Sequence, residues 1–129
     1  LFRVAAGPRL GHGHLRRAEV LAEHLPARIL LSLRGRGAPT SFEPVRAESA
    51  GRALDRLGPD VLVLDDPHPA HARRWCEAAG RRGIPVVSIH DLGLARVPAT
   101  LAVDGSIVSP SRGWRAGRVC RGPSFAIVR

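Results

Sequence analysis

Apolar and polar residues follow two alternating patterns along the chain. Short apolar runs, typical of buried strands, alternate with segments that have apolar residues every three or four positions, as amphipathic helices do. The predicted strands span residues 2–6, 28–33, 44–46, 60–65, 84–89, 101–103 and 125–128. The predicted helices span residues 14–25, 48–57 and 70–82, and each is followed by proline or glycine, which commonly ends a helix.

This order of elements favours an α/β fold. Strands that alternate with helices of about ten residues form βαβ units and a parallel sheet, with right-handed connections that place helices on both faces. We therefore expect residues 1–129 to form a single, three-layer, Rossmann-like domain, a size that fits one domain. In such sheets ligands bind beyond the carboxyl ends of the strands, where the strand order reverses.

The charge of the chain indicates an anionic ligand more than a nucleic acid. All 20 basic residues are arginine, and against 11 acidic residues they give a net charge of +9. The arginines are scattered, and only 4% of the residues are aromatic, which leaves few side chains for stacking on bases. We expect no nucleic acid partner and favour a small phosphorylated ligand.

Further expectations concern the cellular setting. No apolar run approaches the roughly 20 residues of a membrane-spanning helix, and the first residues lack the pattern of a signal peptide. Cys76 and Cys120 are too few for a disulfide framework, so we expect a reduced, cytoplasmic protein. The chain starts inside a strand-like segment at Leu1 and ends directly after an apolar run, as expected for part of a longer protein.

The loop after the first strand carries the first candidate site. Gly11 and Gly13 allow a tight backbone turn, and the following helix directs its free N–H groups at the loop, a natural place for an anion. The loop lacks the third glycine of a dinucleotide fingerprint and the lysine of a P-loop. His14 stands at the helix start, where the positive end of the helix dipole favours a neutral imidazole that can act as a base. The alternative is that His14 only caps or packs.

Acidic residues follow two later strands. Asp65 and Asp66 end the strand at 60–65, and Asp91 follows the strand at 84–89. Because parallel strands end at one edge of a sheet, these carboxylates and His14 should lie along the same edge. The alternative role for such an aspartate is to cap the next helix. Histidine pairs at 12 and 14 and at 68 and 71 have metal-ligand spacing, but we expect neither a metal nor another cofactor.

An ordered set of segments resembles one nucleotide-sugar family. The set comprises Phe2-Arg3-Val4, Gly11-x-Gly13-His14 with Arg17, Leu21-Ala22-x-x-Leu25, residues 60–65, Asp91-Leu92, and Arg121-Gly122-Pro123-Ser124-Phe125-Ala126-Ile127-Val128-Arg129. Together these segments resemble the UDP-sugar hydrolases of pseudaminic acid biosynthesis and the related spore-coat polysaccharide glycosyltransferases. The resemblance covers essentially the whole chain.

The resemblance implies a fold, a reaction and roles for named residues. It implies a two-domain GT-B enzyme of which this chain is the N-terminal, acceptor-side half, with an absent C-terminal nucleotide-binding domain packing on it. The implied reaction is hydrolysis of the anomeric C–O bond of a UDP-linked amino sugar, with His14 as general base. The implied substrate-binding residues are Gly11, Gly13, Arg17, Asp65, Asp66 and Asp91. The alternatives are a glycosyltransferase, in which His14 activates an acceptor hydroxyl, and a non-catalytic sugar-nucleotide-binding module.

Overall fold

A computed structural model describes residues 1–46, 48–90, 97–106 and 116–127. These residues form six strands, three α-helices and one short 3-10 helix. The strands are β1 (Phe2–Ala5), β2 (Leu31–Arg34), β3 (Leu62–Asp65), β4 (Val86–His90), β5 (Leu101–Asp104) and β6 (Arg118–Arg121). The helices are α1 (Gly13–Glu23), α2 (Ala50–Leu57) and α3 (Pro69–Gly80), and the 3-10 helix is Pro123–Phe125.

The six strands form one parallel sheet in the order β2-β1-β3-β4-β5-β6. Phe2 of β1 is in register with Leu31 of β2 on one side and with Val63 of β3 on the other. Strand β2 lies on one side of β1, and strands β3 to β6 follow one another on the other side. The strand order therefore reverses between β1 and β3. This topology confirms the predicted α/β, Rossmann-like fold and places its switch point between those two strands.

Helices cover both faces of the sheet. Successive side chains of a strand point to opposite faces, so each face has apolar side chains that pack against a helix. Phe2 and Val4 pack with Leu15 of α1 in one buried cluster. Leu62 and Leu64 pack with α2 and α3 in the other cluster. The second cluster also holds Cys76, and burial raises the pKa of its thiol to about 12. Cys76 is thus a small core residue.

The C-terminal part of the sheet differs from the sequence prediction. The strand predicted at 125–128 is wrong over its described residues, since a 3-10 helix runs through Phe125 and no strand follows it up to Ile127. Pro123 begins that turn, and Ala126 donates its N–H back to the Pro123 carbonyl at 3.0 Å. The last strand within the described residues is instead β6, an edge strand with mostly exposed residues that lacks an apolar run.

Smaller differences concern the ends of elements. The strand predicted at 44–46 is reduced to a single bridge between Pro44 and Leu31. The three predicted helices are all present, and their ends differ from the prediction by at most two residues. Among the described residues, the helices are too short and too polar for any of them to cross a membrane.

Candidate functional site

Two predicted residues meet across the switch point of the sheet. His14 lies in the first turn of α1, directly after the loop that leaves β1, and Asp65 is the last residue of β3. The His14 Nδ1 atom lies 2.7 Å from Asp65 Oδ1, although the two residues are 51 positions apart in the sequence. Asp65 is almost fully buried, whereas the His14 side chain is 20% exposed and so remains open to solvent.

Arg17 fixes the carboxylate of this pair. It follows His14 by three residues and therefore lies on the same side of α1. Its Nε donates to Asp65 Oδ2 at 2.9 Å, and its Nη2 donates to Asp65 Oδ1 at 3.0 Å. Such a two-pronged contact between guanidinium and carboxylate is both strong and geometrically specific. Asp65 is therefore held in one orientation beneath the imidazole.

The tautomer of His14 follows from these contacts. The Asp65 carboxylate can only accept hydrogen bonds, and Arg17 Nη2, which lies 2.8 Å from His14 Nδ1, can only donate. The 2.7 Å contact with the carboxylate favours the tautomer in which Nδ1 carries the proton and donates it to Asp65, while Arg17 Nη2 donates one of its two hydrogens to the same carboxylate. The lone pair of the neutral ring is then on Nε2. Within the residues that the structure describes, Nε2 makes no hydrogen bond and is available to a substrate proton.

Asp66 has a different environment from its neighbour. Arg34, at the end of β2, donates from Nε and Nη2 to the two oxygens of Asp66, both at 2.7 Å, and so connects the loops on either side of β1. The backbone N–H of His68, which precedes α3, donates to Asp66 Oδ1 at 2.9 Å. Asp66 thus stabilises the turn into α3, close to the capping role considered from the sequence.

Competing effects set the pKa of Asp66. Burial alone would raise it, but the hydrogen bonds from Arg34 and His68, with the positive charges of Arg34 and Arg3, lower the pKa below its usual value. The side chain is therefore ionised at neutral pH. Its oxygens already accept three hydrogen bonds within the protein.

The two loop glycines predicted to bind substrate have separate roles. Gly11 closes a tight turn in which its N–H donates to the Gly7 carbonyl at 2.9 Å, and its φ of +74° is one that glycine adopts without strain. Gly13 is the first residue of α1 and has open space where a side chain would be. Gly11 therefore shapes the loop that leads to His14, whereas Gly13 leaves the helix start uncovered.

Sequence reasoning did not identify His90 as a site residue. His90 ends β4 and lines a cavity of about 130 Å³ together with Arg17 and the segment 125–127. Its Nε2 lies 2.7 Å from Ser88 Oγ, and in the sheet it is in register with the buried Asp104. Burial lowers the pKa of His90 and the nearby carboxylates of Asp104 and Asp65 only partly oppose this, so the ring is neutral at pH 7. Its position at a strand end was the signal available in the sequence.

Other predictions lie away from this arrangement. Asp91 is outside the described residues. His68 and His71 stack edge to face with ring centres 4.7 Å apart at the start of α3, and within the described ranges no group of three or more histidine, cysteine or acidic side chains could hold a metal ion. His24 is exposed near the end of α1.

Another cavity, lined largely by apolar residues, lies at the opposite edge of the sheet. It has a volume of about 510 Å³ and lies between the end of α1, the end of α2 and the amino ends of β1, β3 and β4. Its lining includes the exposed apolar side chains of Leu25 and Val61. This groove is therefore separate from the cluster of charged groups around His14.

Comparisons with known proteins assign no family. No protein-family model matches the sequence, and no curated protein or solved structure is significantly similar to it.

Proposed function

We propose that the protein catalyses general-base-assisted cleavage of a nucleotide sugar, with His14 as the base. The observation that carries this proposal is the 2.7 Å contact between His14 Nδ1 and the buried, arginine-clamped Asp65. A carboxylate in that position holds an imidazole in one tautomer and faces the positive charge that forms when Nε2 accepts a proton. The same arrangement serves hydrolases on many unrelated folds.

The nucleotide-sugar substrate rests on further support. The site lies at the switch point of a Rossmann-like sheet, where ligands of this fold class bind. The arginine-rich composition suits an anionic ligand, and the sequence resembles UDP-sugar hydrolases. In the proposed reaction Nε2 of His14 removes a proton from water, and the water oxygen bonds to the anomeric carbon. The anomeric C–O bond breaks at the same carbon, and the electron pair leaves with the nucleoside diphosphate.

The decisive experiment measures nucleotide release without any acceptor. The protein expressed from its complete gene is incubated with a panel of UDP- and CMP-sugars, and the freed nucleotide is followed by phosphorus NMR. We expect His14→Ala to lower the release rate by about 100-fold or more, because a positioned general base contributes 10²–10⁴-fold. His24→Ala changes an exposed histidine near the other end of the same helix and should leave the rate unchanged.

A second variant tests whether catalysis by His14 requires its contact with Asp65, a pair called here the His14 dyad. Asp65→Asn keeps the size of the side chain but removes its charge and allows the amide to donate to Nδ1, which favours the wrong tautomer of His14. We expect a large loss of release rate here also. Release that persists at the wild-type rate in His14→Ala would contradict the proposal.

Two other outcomes would assign the alternative functions. Sugar transfer that occurs only after a hydroxyl acceptor is added, and that disappears in His14→Ala, would make the protein a glycosyltransferase. Nucleotide-sugar binding without turnover under either condition would make it a binding module.

A further inference from the structure

A second concave surface lies beside the His14 loop. The loops that leave β1 and β2 enclose an open cavity of about 460 Å³. Its described lining is largely apolar and includes Ala6, Pro8 and Leu10, and the two loops contribute Arg9 and Arg36. Both loops follow the carboxyl ends of neighbouring strands, so the cavity lies on the same edge of the sheet as His14 and Asp65.

The two arginines that line this cavity differ from two partly buried arginines nearby. Arg17 and Arg34 are paired with Asp65 and Asp66. Arg9 and Arg36 are exposed, and over the described ranges neither forms an ion pair or a side-chain hydrogen bond. Aspartate and glutamate are absent from the described lining of the cavity. Two exposed arginines therefore flank a largely apolar concave surface whose described lining has no acidic residue, and this excess of positive charge attracts anions.

The backbone holds the two loops in close contact. A Cβ atom at Gly35 would lie 1.8 Å from the Ala6 carbonyl oxygen, and one at Gly7 would lie 3.0 Å from the Arg36 carbonyl oxygen. The Gly7 carbonyl also accepts the N–H groups of Leu10 and Gly11, both at 2.9 Å, which closes the first loop into a turn. The loops that carry Arg9 and Arg36 are thus fixed relative to each other before any ligand binds, which reduces the entropy lost on binding.

We infer that Arg9 and Arg36 form an anion-binding site for a phosphate-bearing group, separate from the His14 dyad. Guanidinium groups bind phosphate oxygens through paired, charge-assisted hydrogen bonds. The apolar lining suits a ligand whose phosphate is attached to a less polar body. The same two cations could attract a carboxylate, so the test includes both chemistries. The site goes beyond the proposed reaction and does not depend on turnover.

Isothermal titration calorimetry on the protein from its complete gene tests this site. Inorganic pyrophosphate is the phosphate probe and acetate is the carboxylate probe. We expect pyrophosphate to bind more tightly, and binding to weaken as salt is raised. Arg9→Ala and Arg36→Ala should each weaken pyrophosphate binding by about tenfold or more, since hydrogen bonds to charged groups contribute that much. Circular dichroism confirms folding of each variant.

Matched variants show whether pyrophosphate binding depends on these two arginines in particular. Arg81→Ala removes an exposed arginine after α3, on the way to the amino end of β4, and should bind pyrophosphate like the wild type. Arg9→Lys with Arg36→Lys keeps both charges but removes the fork-shaped donors, so it should bind with intermediate affinity.

Equal binding by the wild type and the Arg9→Ala, Arg36→Ala double variant would overturn the inference, as would no binding by the wild type. Tighter acetate than pyrophosphate binding would replace the phosphate with a carboxylate ligand. His14→Ala should leave pyrophosphate binding intact, so this result is independent of the proposed reaction.

Discussion

Gly35 and Gly37 lie two positions apart in one loop but have different surroundings. At Gly35 φ is +123°, and an added Cβ would lie 1.8 Å from the backbone oxygen of Ala6, which cannot move without displacing β1. At Gly37 φ is +69°, but the space beside it is open. The need for glycine at Gly35 is therefore steric as well as conformational.

Substitution of these glycines should give clearly different stabilities. We expect Gly35→Ala to lower the free energy of unfolding by at least about 3 kcal/mol, because two loops must separate. Gly37→Ala should cost only about 1 kcal/mol, the penalty for an L-residue in the left-handed region. Urea denaturation measures both. Similar midpoints for the two variants would show that the loops after β1 and β2 are not in contact in solution.

The candidate site was predictable in part from the sequence. His14 and Asp65 could be expected at one edge because each follows a strand in a parallel sheet. The clamp by Arg17 depends on the rotation of α1 about its axis, which places positions 14 and 17 over Asp65. The Arg34–Asp66 pair depends on strand order, since β2 and β3 are neighbours of β1 rather than of each other. Neither relation can be deduced from spacing along the chain.

The strands and helices also divide into those that a sequence pattern predicted and those that depend on how the chain packs. The buried strands β1, β3 and β4 and the three helices were predicted because their burial gives an apolar run or a helical stripe in the sequence. β6 was missed because it is an exposed edge strand and needs no such run. The apolar residues 125–127 were misassigned because they follow a turn and border the small cavity near His90 instead of joining the sheet.

Contact with Gly105 holds that C-terminal segment in place. A Cβ at Gly105 would lie 2.6 Å from the Cα of Ala126. We expect Gly105→Ala to push residues 125–127 away from the sheet, to lower stability by about 2 kcal/mol through overpacking, and to speed hydrogen exchange of the Ala126 amide. Hydrogen-exchange mass spectrometry and thermal denaturation measure these effects. Gly80→Ala, at a helical position with open space, is the control and should be neutral or stabilising. Unchanged exchange at the C-terminal peptide would argue against the contact.

The stability of the whole molecule should depend on pH through two buried groups. His90 has a lowered pKa because it is buried, with Asp104 and Asp65 opposing the effect and Arg17 adding to it. Below the ordinary histidine pKa of about 6.5 the unfolded chain takes up a proton that the folded chain resists. Stability is therefore fully present above that pH and is lost as pH falls toward the folded pKa. Asp66, also with a lowered pKa, contributes above the ordinary aspartate value of about 4, and its contribution is lost below that.

The two steps can be separated by mutation. We expect the melting temperature, measured by circular dichroism, to fall first as the pH drops below about 6.5 and again as it drops below about 4. In His90→Gln the first fall should shrink while the second persists, because glutamine does not titrate. His24→Gln removes an exposed histidine and should retain both falls. A first fall of equal size in wild type and His90→Gln would mean that another group controls stability in that range. A reduced fall would show that the neutral, buried His90 beside the candidate site stabilises the entire sheet.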